Sequence, residues 1–267
     1  MEMRSSVQAG QFQFHLIIQS KGQIARTTAL LLLKMIKIKI ADFVVEIDNK
    51  YDFIEEMSKD YASDDTSVDI FVPITDEDMQ KERGLCEGDF PDGYIEAICA
   101  YRKIAEAIID HDAFLMHSAV IEMDGRAYAF LARSGTGKST HISLWRELFG
   151  DKVTVVNGDK PICRFIDGEL YAYGTPWCGK EGWNKNTRAP LKALCYIERG
   201  TESSIAKISP ADSSFRIMRQ ILVPNDASLA SKTLDMIDRM LTKIPSYVLK
   251  CNISHKAAEL AYDAMKE

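Results

Sequence analysis

A short apolar run, Arg126-Ala127-Tyr128-Ala129-Phe130-Leu131, leads directly into Ala132-Arg133-Ser134-Gly135-Thr136-Gly137-Lys138-Ser139-Thr140. Thr140 to Phe149 then has the spacing of an amphipathic helix. The middle segment fits four residues followed by Gly-Lys-Ser, with alanine in place of the usual first glycine, which is the pattern of a phosphate-binding loop. Strand, glycine loop and helix in that order aim backbone N–H groups and a helix N-terminus at a polyphosphate. Gly135 and Gly137 permit backbone angles and a close approach that side chains would block. Lys138 is expected to reach the outer phosphates and the Ser139 hydroxyl to ligate Mg²⁺, with Ser134, Thr136 and Thr140 completing the cradle.

The surrounding sequence narrows the fold further. Asp124-Gly125 between two apolar runs is a hairpin signal, so the strand that feeds the loop pairs antiparallel with its predecessor, Phe114–Met123. A second hairpin is expected at Ile162–Ile166, Asp167-Gly168 and Leu170–Tyr173. An all-parallel doubly wound sheet is therefore excluded in favour of an α/β fold with a mixed sheet. Further strands are predicted at Val153–Val156, Ala193–Ile197 and Tyr247–Lys250, and helices at Asp212–Leu222, Ser228–Lys243 and Ser254–Lys266.

Upstream, residues 35–110 read as a small α/β accessory lobe, and residues 111–267 as the loop-bearing domain. Within the lobe, strands are expected at Ile36–Ile47 and Val68–Ile74, an acidic turn at Thr75–Asp78, and a helix over Asp92–Ile109. Residues 1–34 are rich in Gln and Ser and lack periodicity. We expect them to form an extension without a fold of its own, the alternative being a weak helix on the core, and the native start to lie at Met35.

With 267 residues the chain can bury one sizeable core with a small accessory lobe. A net charge of −6 and no long basic block argue against nucleic acid as a partner. The apolar run Ala29–Leu33 is too short to span a membrane. The six cysteines are scattered without a C-x-x-C pair, which suits reduced cytoplasmic thiols. A homo-oligomer is compatible with all of this.

A phosphate loop works with a carboxylate at the end of a neighbouring buried strand. Asp159 in Asn157-Gly158-Asp159-Lys160, just after Val153–Val156, is the candidate for a Mg²⁺ ligand, a general base, or both. His117 lies upstream in Leu115-Met116-His117-Ser118, where a core role and a functional one are equally open. Lys180, Lys185 and Arg188 are closely spaced cations in a glycine-punctuated stretch, suited to a lid that neutralises developing charge. Trp177 and Trp183 in that stretch suit either packing or a wall against a base.

Together, Met116-His117-Ser118-Ala119-Val120, Ser134-Gly135-Thr136-Gly137-Lys138-Ser139 and Gly158-Asp159 resemble the HPr kinase/phosphorylase family, which shares a core with phosphoenolpyruvate carboxykinase. The resemblance covers about Leu115 to Asn186. It is closer still to uncharacterised bacterial HPr-kinase-like proteins, through Asn157-Gly158-Asp159-Lys160-Pro161 and Tyr173-Gly174-Thr175-Pro176-Trp177-Cys178-Gly179-Lys180. It implies a mixed-sheet core of that type and transfer of the γ-phosphoryl group of Mg²⁺–ATP to a hydroxyl, often a serine of a protein or peptide. Lys138 and Ser139 would hold phosphate and metal, and His117 would line the active site. Asp159 would be one of two adjacent aspartates, but position 158 carries glycine. Either Asp159 then serves both roles, or His117 substitutes, or the acceptor differs. The family's second long glycine-rich signature and an N-terminal regulatory domain of the usual size are not found in this sequence, so HPr is not the expected substrate. Two other readings stand beside the kinase: a small-molecule phosphotransferase of carboxykinase type, and a non-catalytic ATP-binding regulator.

Overall fold

The computed structural model describes residues 34–267, so the expectation for the N-terminal segment falls, but for Lys34, outside the described residues. The lobe begins with a hairpin of β1 (Lys34–Ile40) and β2 (Phe43–Asn49) rather than the single strand expected over Ile36–Ile47. Ala41 and Asp42 both take left-handed angles, φ 50° and 63°, which reverse the chain in two residues. After the short α1 (Phe53–Met57), β3 (Ile70–Pro73) adds parallel to β2 and completes a three-stranded sheet. The acidic segment at Thr75 is not a turn. It starts α2 (Asp76–Leu85), where the Thr75 side chain and Asp78 form a reciprocal capping box. Next, α3 (Asp92–Ala107) packs its buried Ile95, Ala97, Cys99 and Ile104 on the sheet.

The larger part is a nine-stranded mixed sheet. The expected strand Phe114–Met123 is broken in two: β4 (Ala113–Leu115) and β5 (Ala119–Met123) flank an extended link, Met116–Ser118. The break moves the chain between two parts of the curled sheet. A hairpin at Asp124-Gly125 follows, φ 54° and 73°, and β6 (Arg126–Leu131) pairs antiparallel with β5. The next elements are α4 (Lys138–Phe149) and β7 (Thr154–Asn157), the latter pairing with β5. The second hairpin, β8 (Ile162–Ile166) and β9 (Glu169–Tyr173), pairs β8 with β4.

The long β10 (Arg188–Arg199) joins the two parts. Its first residues pair antiparallel with β9, and after an irregularity between Leu191 and Ala193 it runs parallel to β6. The chain closes with β11 (Ser204–Ile208), α5 (Pro210–Ile217), α6 (Ala227–Lys243), β12 (Ser246–Cys251) and α7 (His255–Met265). There β12 pairs parallel with β10 and antiparallel with β11.

The loop strand is covered on both faces. Ala127, Ala129 and Leu131 of β6 join a core with Met236, Ile237 and Met240 of α6. Tyr128 and Phe130 point the other way, to Ile142 and Trp145 of α4 and Ala258 and Met265 of α7. Period-two alternation in a strand sandwiched between layers explains the near-continuous apolar text of 127–131. Among the described residues, no helix is long and apolar enough to cross a membrane.

Candidate functional site

The segment between β6 and α4 keeps the geometry its glycines require. Gly135 has φ 73° and Gly137 φ 122°; no atom crowds either position, so the backbone angle rather than space selects glycine. Ala132, where the pattern usually has glycine, is buried and turns its methyl into the core under α4. No side chain caps α4, whose N-cap is Gly137, so its first N–H groups lack the usual intrahelical or capping acceptor. The Arg199 guanidinium, at the end of β10, donates to the carbonyl of Gly135 at 2.7 Å and holds the loop from outside. That contact was not foreseen, because it joins the loop to a strand distant in sequence. Along the loop Ser134, Gly135 and Thr140 are exposed, and Thr136, Lys138 and Ser139 half-buried.

Lys138 folds back, donating to the Ala132 carbonyl at 3.2 Å, with Nζ 3.1 Å from His117 Nε2. His117 Nε2 in turn lies 3.0 Å from Asp159 Oδ1. The other carboxylate oxygen, Oδ2, accepts from Lys160 Nζ at 2.5 Å. Three sequence-predicted residues, His117, Lys138 and Asp159, thus meet in one cluster. Lys160 is a fourth member, 3% exposed, and it went unassigned at the sequence level although it directly follows the carboxylate.

The backbone explains how these residues meet. In the link between β4 and β5, the N–H of Met116 donates to Pro161, that of His117 to Gln220 and that of Ser118 to Asp159. The link is therefore held by two segments, the turn after β7 and the stretch after α5. At the end of β7, wholly buried Asn157 caps the turn: its Oδ1 accepts from the N–H of Asp159 and of Lys160 at 2.8 and 2.7 Å. Its Nδ2 donates to the Thr175 carbonyl, and the Thr175 hydroxyl donates to the Lys160 carbonyl. Asparagine does here what makes it favoured in turns, satisfying backbone donors two and three residues on.

Charge and burial set the protonation states. Burial pulls His117 down to about 4 against the pull of Asp159 the other way, so the ring is neutral near pH 7 and its Nε2–H donates to the carboxylate. Burial lowers Lys138 to about 8. Burial would raise Asp159, but the Lys160 charge and the His117 hydrogen bond outweigh it and hold the carboxyl well below its usual range. Lys160 is lowered by burial, opposed by Asp159.

No protein-family profile matches the chain, and no curated protein matches it significantly. Among solved structures it is similar to the HPr(Ser) kinase/phosphatase from Coxiella burnetii, with a TM-score of 0.34 and 7% identity over 57% of this chain and 88% of that one. A superposition that loose does not establish a shared fold.

The expected lid is seated along β7. Gly158 N–H donates to the Trp183 carbonyl, Lys185 N–H to that of Val156, and Asn157 bridges Asn184. Trp177 is a packing anchor, buried against Tyr101 with its indole N–H on the Ala97 carbonyl of α3. Trp183 packs under the Arg146 guanidinium. The structure does not bring Arg188 to the cluster. It is the first residue of β10, and its guanidinium engages Asp42 and the Tyr173 hydroxyl, tying the lobe's first hairpin to the main sheet. Among the described residues, no three His, Cys, Asp or Glu side chains gather as a metal-ligand set.

Proposed function

We propose that this protein transfers the γ-phosphoryl group of ATP to a hydroxyl acceptor, a serine of a protein or peptide. The supporting observation is that Lys138, at the start of the uncapped α4, lies in one contact chain with His117 and Asp159, which come from two other segments. The loop amides and the Lys138 ammonium take the β- and γ-phosphates, and negative charge at the lysine reverses the burial penalty it carries unliganded. Asp159 keeps lone pairs beyond its two donors. It orients the acceptor hydroxyl and takes its proton as the phosphoryl group leaves ADP. Neutral His117 and Lys160 fix that carboxylate in place. Phosphoryl transfer asks for positioning and charge rather than covalent help, and a small number of fixed groups suffices.

Purified protein given γ-labelled ATP and a panel of serine peptides should transfer label. Lys138→Ala and Asp159→Asn should each lower transfer by about 100-fold or more. Label transfer that survives both substitutions sinks the proposal. The engagement of both Asp159 oxygens also favours a second reading, a nucleotide-binding regulator without turnover. Tight ATP binding, no label transfer, and indifference to Asp159→Asn would select it.

A further inference from the structure

Position 158 cannot carry a carboxylate in this fold. A Cβ built there would lie 2.9 Å from the Cys178 carbonyl oxygen and 3.3 Å from that of Trp183, both backbone atoms of the segment that crosses β7. The N–H of Gly158 is itself bonded to Trp183. Position 158 therefore adds no second carboxylate beside Asp159, and the remaining oxygen donors near the loop are the Ser139 hydroxyl and Glu181, whose carboxylate faces Lys138. Both Asp159 oxygens already face donors, His117 Nε2 at 3.0 Å and Lys160 Nζ at 2.5 Å. A Mg²⁺ ion held by Asp159 would have to displace one of these donors.

Lys160 is not a side chain that swings away on demand. Its ammonium is buried, its N–H is bonded to Asn157 and its carbonyl to Thr175. Two basic side chains converge here, Lys160 Nζ on Asp159 Oδ2 and Lys138 Nζ beside His117, an arrangement that suits a polyphosphate and opposes a cation placed beside Asp159.

We infer that Lys160 is a built-in cation standing where a divalent metal would otherwise bridge Asp159 and phosphate, so that the loop takes a polyphosphate without a protein-held metal. The phosphate part rests on the function proposed above; the metal part does not.

Two titrations test it. In the first, Mn²⁺ is added to nucleotide-free protein and followed by electron paramagnetic resonance. Wild type should hold Mn²⁺ no tighter than about 1 mM, the weak end of protein carboxylate sites. Lys160→Met, which keeps the volume and removes the charge, should bind it at least about tenfold more tightly. Micromolar Mn²⁺ binding by wild type that is lost in Asp159→Asn overturns the inference. So does a folded Lys160→Met, checked by circular dichroism, that gains no affinity. If that variant does not fold, the wild-type and Asp159→Asn titrations decide alone. In the second, calorimetry compares ATP in EDTA with ATP in excess Mg²⁺. Equal affinity supports the inference, and binding that vanishes in EDTA overturns it. No ATP binding in either buffer sinks the phosphate reading, while the Mn²⁺ titration still decides the role of Lys160.

Discussion

His141 lies one turn into α4 with its ring edge-on to Phe130, and its Nε2 accepts from the Trp145 indole at 2.9 Å. The proton must therefore sit on Nδ1, which finds no partner among the described residues. Burial lowers this imidazole from 6.5 to about 4. A folded-state value depressed in this way means that the neutral ring stabilises the fold fully above pH 6.5, and that the contribution is lost as pH falls toward the folded value near 4. The urea midpoint should drop as pH falls below 6.5. The His141 share of that drop is on the order of 3 kcal/mol. His141→Gln, which keeps an acceptor for the indole, should remove that share and leave the part due to His117. An unchanged slope in His141→Gln would show that the ring is not the sensor. The sequence made His117, Lys138 and Asp159 legible because their residue types are chemically demanding at those places. Lys160 and Asn157 were not, because their roles arise from a three-residue turn in which one side chain binds the next two amides. Arg188 read as a lid cation because proximity in sequence said nothing about which end of β10 it would occupy.

At the scale of elements, the segment that crosses β7 shapes the cluster as strongly as the loop itself. Two glycines let it pass: at Gly158 a Cβ would meet the Cys178 carbonyl at 2.9 Å, and at Gly174 it would meet the Lys185 carbonyl at 1.9 Å. Neither obstacle is a flexible side chain, so the backbone would have to move. Gly158→Ala should cost about 1–3 kcal/mol by chemical denaturation, as overpacking does, and should weaken ATP binding by displacing Asp159. Wild-type stability in that variant would mean that the crossing is looser than described. Hairpins were readable from Asp-Gly pairs, since those residues supply the left-handed angles that tight turns need. Two elements were not readable. β11 buries none of its five residues, so no apolar alternation marks it, and α2 buries only Glu82, so its acidic start looked like a turn. The break in Phe114–Met123 falls at the polar pair His117-Ser118, but buried Phe114, Leu115, Met116, Ala119 and Val120 on either side let the run read as one strand.

Across the whole molecule, one apolar cluster runs from Ile36 and Ile47 in the first sheet through Ile95 and Ile104 of α3 to Leu115 and Ile162 in the second, with Trp177 from the segment after β9. Polar ties reinforce it, with the Arg164 guanidinium on the Ala41 carbonyl and over the Phe43 ring. Trp177 stands at the centre of this seam while belonging to the segment that covers Asp159. Trp177→Ala should cost about 3–5 kcal/mol, the range for a buried aromatic, and should lower phosphoryl transfer as well, because both lobes meet the site through that ring. A variant of unchanged melting temperature would separate the lobe from the site.

The three consecutive amides of Met116, His117 and Ser118, bonded to the Asp159–Pro161 turn and to Gln220, also carry a consequence in time. The hairpins and α4 need only near neighbours and can form early, whereas this link is satisfied only once the chain around Asp159, Pro161 and Gln220 has arrived. Hydrogen exchange at those three amides would then be a clock for completion: slow together in the finished protein, and unprotected in any intermediate that already holds its sheet.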